Sequence, residues 1–83
     1  MEQIKCNFTS EEITATKTYS NLVSIAVINR HETDALRVQQ ENGTYVVLGV
    51  GQSVRYIAPT GTILPDITIL TDDTNLKAEI VSA

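Results

Sequence analysis

Short extended segments, apolar at alternate positions and broken by Gly, Pro, Asn and Asp roughly every eight to twelve residues, run along this chain. That rhythm constrains the fold more than any other feature, because period-two alternation lines one face of a pleated strand and is incompatible with an amphipathic helix. Val, Ile and Thr make up about a third of the 83 residues, and β-branched side chains favour the extended backbone. The sequence therefore predicts an all-β chain: a small antiparallel β-sandwich or flattened barrel of seven to eight strands, forming one domain over residues 1–83.

Along the chain, Ile4, Cys6 and Phe8 alternate with Lys5 and Asn7 and predict an opening strand. Thr9 and Glu12 have the spacing of a helix capping box, but the residues after them are poor helix formers, so the pair is expected in a turn. Ile13 to Tyr19 is expected as a second strand with its threonines wet. Leu22 to Asn29 is apolar on both faces and is expected at the centre of a sheet. After a polar connection, Arg30 to Asp34, the segments 35–40 and 44–48 flank Glu41-Asn42-Gly43 and predict a tight hairpin. Gly49 to Gln52 interrupts the pattern, 53–58 resumes it, and Pro59-Thr60-Gly61 turns the chain again. Ile67 to Thr71 and Leu76 to Val81, joined by Asp72 to Asn75, are expected to form a closing hairpin.

Composition removes several classes of function. Ten acidic residues against six basic ones, a net charge of −4 and no basic cluster leave nothing to attract a phosphate backbone, so no nucleic-acid partner is expected. The longest apolar stretch, residues 22–28, is far short of the roughly 20 residues that cross a bilayer as a helix. No membrane partner and no signal peptide are expected, which points to a cytoplasmic site of synthesis. Cys6 is the sole cysteine and forms no internal disulfide; it is expected as a small core residue.

Residues that could carry catalysis or bind a ligand fit ordinary turn chemistry better. His31, the sole histidine, lies in a polar connection; a triad with Ser53 and Asp34 lacks any nucleophile-elbow spacing. Gly49 and Gly51 are followed by neither a third glycine nor Lys-Ser/Thr, so they are read as backbone bends rather than a phosphate loop. Asp66 and Asp72 to Asn75 match no calcium-loop spacing. No enzyme activity, cofactor or metal is expected. Tyr45 and Tyr56 keep open a glycan-binding alternative, provided that their strands pair and bring the rings together.

From Val23 onward a cadence recurs: the strand ending at Asn29, Ala35-Leu-Arg-Val38, Asn42-Gly-Thr-Tyr-Val-Val-Leu48, the step Gly51-Gln-Ser-Val54, and Leu76-Lys-Ala-Glu-Ile-Val81. It resembles small all-β accessory structural proteins of tailed-phage virions, of the decoration, cement or fibre-base type, over about two-thirds of the chain. The chain departs from that pattern in lacking a tryptophan beside Asn42-Gly43 and in its extra N-terminal strands. The resemblance implies a non-enzymatic virion protein, made in the host cytoplasm, that assembles with a major capsid or other virion protein. It also implies a homo-oligomer, for which a trimer is the expected form.

The residues themselves also point to self-association, independently of that resemblance. Apolar side chains on both faces of residues 22–28, of 45–48, and of 63–64 with 67–70 exceed what one thin core hides, since a chain of this size buries only about 60% of its unfolded surface. Val23, Val46, Val50, Ile63 and Leu64 are the expected apolar interface residues. Arg30, Arg37 and Arg55 are the expected rim contacts.

Overall fold

The computed structural model describes residues 7–71 and 75–83 and contains eight strands and no helix among them. These are β1 (Thr9–Ile13), β2 (Lys17–Tyr19), β3 (Ser24–Asn29), β4 (Leu36–Gln40), β5 (Tyr45–Leu48), β6 (Ser53–Ile57), β7 (Ile67–Leu70) and β8 (Ala78–Ser82). They form two antiparallel sheets of four, in the orders β1-β8-β3-β6 and β2-β7-β4-β5. The expected all-β sandwich is what the chain adopts.

The pairing has a simple logic. β4 pairs β5, β3 pairs β6, β2 pairs β7 and β1 pairs β8, all antiparallel, which is the pattern of one long hairpin folded back on itself. Its tip is the β4–β5 turn. The hairpin then rolls up, and β3 meets β8 while β4 meets β7. This is jelly-roll connectivity.

Each strand faces the core through its period-two positions. Ile25 and Val27 of β3, Leu36 and Val38 of β4, Ile67 and Ile69 of β7, and Ala78 and Ile80 of β8 are buried, with Ile13, Tyr19, Leu48 and Leu76 completing the core. Leu22, Val54, Tyr56 and Leu64 pack around its rim. The outer faces carry the intervening residues.

The hairpin at the tip follows from its turn residues. The Gly43 N–H bonds the Gln40 carbonyl at 2.9 Å and the Gln40 N–H bonds the Thr44 carbonyl at 2.7 Å. Gly43 adopts φ +90°, the left-handed conformation that closes a three-residue loop with a bulge.

The fold departs from expectation at three places. Thr9 to Glu12 is not a turn but most of β1, because β8 supplies a partner along its full length and an edge strand tolerates polar residues. Ile13 to Tyr19 is not one strand: the chain bends after Ile13 and crosses to the other sheet as β2, although Thr14, Thr16 and Thr18 are exposed as expected. The closing hairpin does not form. β7 lies between β2 and β4, whereas β8 lies between β1 and β3. Ile67 and Ile69 therefore share the core with Ala78 and Ile80 from opposite sheets, so that two apolar faces cover each other. Ile4 and Cys6 of the expected first strand, and Asp72 to Thr74 of the expected turn, lie outside the described residues.

Candidate functional site: the exposed edge and outer face

Two polar clusters fix the scaffold on which any surface site must stand. Asn29 ends the inward-facing row Ile25, Val27, Asn29 and is 1% exposed. Its Nδ2 donates to the carbonyls of Asp34 at 2.9 Å, Leu48 at 3.0 Å and Gly49 at 3.2 Å, and its Oδ1 accepts from the His31 N–H at 2.9 Å. One side chain thus ties the β3–β4 and β5–β6 connections to the core. A buried amide is stable only when satisfied in this way.

Glu11 makes the second cluster. It accepts from Lys17 Nζ at 2.7 Å and from the Tyr19 hydroxyl, joining β1 in one sheet to β2 in the other. Hydrogen bonds from Lys17 and then Tyr19 hold the Glu11 carboxyl below its ordinary 4.5. Burial, and then the Glu11 carboxylate, push the Tyr19 hydroxyl well above its ordinary 10.

His31 is engaged as a loop staple. Its Nδ1 accepts from the backbone N–H of Thr33 at 3.2 Å and of Asp34 at 3.0 Å, and its Nε2 lies 3.7 Å from Asp34 Oδ2. Both ring nitrogens therefore face groups of the same loop. Among the described residues, no three His, Cys, Asp or Glu side chains gather in a metal-binding arrangement, and no helix is long and apolar enough to cross a membrane.

The two tyrosines do not share a surface. β5 pairs β4 and β6 pairs β3, so the strands that would have to be neighbours lie in different sheets. Tyr45 is opposite Gln39 on an outer face, with the Arg37 guanidinium 5.0 Å from its ring centroid. Tyr56 is opposite buried Ile25 and packs against the core. A platform of two stacked-on rings is absent from this arrangement.

The expected interface residues are spread over two regions. Val46 on β5 and Val50 just after it are exposed along one lateral edge, together with Tyr45 and Val47. Val23 and Ile63 are exposed at the end of the sandwich that holds the β2–β3 and β6–β7 connections. Leu64 is half-buried against the core, held by its N–H to the Leu22 carbonyl at 2.7 Å. Arg30 donates through Nε and a terminal nitrogen to Glu79 Oε2, at 3.0 and 2.7 Å. Arg55 projects from the outer face of β6.

Sequence reasoning missed Phe8 and Ile57. Both are exposed, and Phe8 lines a depression of about 280 Å³ with Ser24, Ala26, Arg55 and Val81. Registers place Val81 and Arg55 on either side of Ala26, and Ile57 beside Ser24, on the outer face of the β1-β8-β3-β6 sheet. The available signal was the small-residue pair Ser24 and Ala26 at alternate positions of a central strand. Comparison with family models, with curated proteins and with solved structures finds no match to this chain.

Proposed function

We propose that this chain is a non-enzymatic assembly protein that acts through protein–protein contacts, of the virion decoration or cement type that its strand cadence resembles. The observation that carries the reading is the surface. Phe8, Val23, Tyr45, Val46, Val47, Val50, Ile57 and Ile63 are all exposed, outside the buried cluster between the sheets. Scattered apolar residues are normal on any protein, but runs of neighbours such as Tyr45-Val46-Val47 and the Phe8–Ile57 face are the kind that partners cover. Self-association and attachment to a larger protein surface both use such faces.

The test is direct. Sedimentation and light scattering from about 1 μM to 1 mM are expected to show association, and the isolated chain is expected to bind a dye that reports exposed apolar surface. A chain that stays monomeric throughout and binds no such dye overturns the reading.

A further inference from the structure

We propose that β5 pairs antiparallel with β5 of a second copy, the twofold axis passing beside Val46, so that a four-stranded sheet from each copy joins into one continuous sheet. The proposal deepens the assembly reading, on which it rests, by naming the strand, the partner and the symmetry.

The two sheets end in β1, β6, β2 and β5, and unpaired edges invite other strands unless charge, proline or shortness guards them. β1 carries Glu12 and the core-side carboxylate of Glu11. β2 is three residues long and includes Lys17. β6 carries Arg55, and Pro59 follows two residues after its end. β5, Tyr45-Val-Val-Leu48, has no charge and no proline.

The backbone of β5 then defines the register. The Gln40 N–H to Thr44 carbonyl bond sets the alternation along the β4–β5 ladder, so Thr44, Val46 and Leu48 turn their N–H and C=O toward β4. Tyr45 and Val47 turn theirs outward. At either end of this window the next outward donors are already taken: the Gly43 N–H by the Gln40 carbonyl at 2.9 Å, and the Gly49 N–H by Gln52 Oε1 at 2.7 Å. Among the described residues the free edge is therefore a short window centred on Val46.

A second β5 run antiparallel completes that window. With Val46 opposite Val46 of the second copy as the non-hydrogen-bonded pair, Tyr45 of each copy lies opposite Val47 of the other, and their outward N–H and C=O groups satisfy one another. Each such pair sets an aromatic ring against a β-branched side chain, a favourable cross-strand combination. Arg37 holds the Tyr45 ring on the outer face of its own sheet, where it does not cover the edge. The antiparallel sense also keeps like charges apart, because the acidic Glu41 turn of one copy falls beside the uncharged Gly49–Gln52 loop of the other. A four-residue strand covers much less than the ~800 Å² per partner of a standard interface. The pair is accordingly weak and concentration-dependent, with a dissociation constant between roughly 10 μM and 1 mM.

Val46→Cys in a Cys6→Ser background tests the geometry, since directly opposed residues of a non-hydrogen-bonded pair have Cα atoms about 4.5 Å apart, within disulfide reach. Mild oxidation is expected to yield a covalent dimer, whereas Val23→Cys in the same background is not. Val47→Pro removes an outward N–H without breaking the β4–β5 ladder, and is expected to raise the dissociation constant at least about tenfold. Val46→Lys and Val46→Glu guard against misfolding of the proline variant: each alone is expected to be monomeric, and a mixture of the two to dimerise. A dimer that cross-links at position 46 and recovers on mixing supports the proposal. A monomer up to about 1 mM overturns it, and so does a trimer or other oligomer that does not cross-link at position 46, although that last outcome leaves the broader assembly reading standing.

Discussion

Asn29 is a polar residue at the end of an apolar row, and its placement explains why two connections at one end of the sandwich are held in register. Removing its amide strands the carbonyls of Asp34, Leu48 and Gly49 and the N–H of His31, with which it bonds at 2.9 to 3.2 Å. Each buried group left without a partner costs about 1–3 kcal/mol. Asn29→Ala is therefore expected to lower the unfolding free energy by about 3 kcal/mol, read as a shift in the urea midpoint at constant slope. At Gly43 the cost is purely conformational. A methyl group there meets nothing within 4 Å, yet φ +90° is unfavourable for an L-residue by about 1–2 kcal/mol. Gly43→Ala is expected to destabilise by about 1 kcal/mol and Gly43→Asn by less, because Asn enters the left-handed region more readily. Equal losses for the two would assign the position another role.

At the scale of elements, the junction of β1 and β2 is where one continuous apolar-polar run divides between sheets. The Glu11 carboxylate, bonded to Lys17 and Tyr19, spans that division. Its folded-state pKa is depressed, so its contribution to stability is complete above the ordinary value of 4.5 and is lost as the pH falls below it. Tyr19 has the opposite sense. Its folded-state pKa is raised, so its contribution is complete below 10 and is lost as the pH rises above that value. Urea midpoints measured against pH are expected to form a plateau between these limits, and Glu11→Gln is expected to flatten the acid limb. An unchanged acid limb in that variant would remove Glu11 from the account. On the opposite edge no such clamp involves β5 among the described residues, and its uncharged, proline-free run is what makes it the candidate for pairing with another chain.

For the whole molecule, the rolled-up hairpin makes most strand pairs distant in sequence: β1 pairs β8 and β3 pairs β6 and β8. Such topologies close long loops before their contacts form, and stopped-flow refolding is expected to relax in milliseconds to seconds. Microsecond relaxation would indicate that local hairpins alone dominate. Strand class, the Glu41–Gly43 turn, the inward rows of β4 and β7 and the central position of β3 were legible in the sequence, since side-chain alternation and turn chemistry act over a few residues. The apolar excess of residues 45–48 was legible in the same way. The sequence did not reveal that Tyr45 and Tyr56 lie on different sheets, that β7 and β8 face one another instead of pairing, or that Thr9 to Glu12 is a strand. Phe8 and Ile57 as exposed neighbours of one depression were equally hidden. Local pattern determined which residues prefer extended backbone and, where apolar and polar residues alternate, which face must be dry. Only the tertiary structure decided which strand lies beside which, because period-two alternation states that a face needs cover without stating what covers it, and that choice is made by the joint packing of all eight strands.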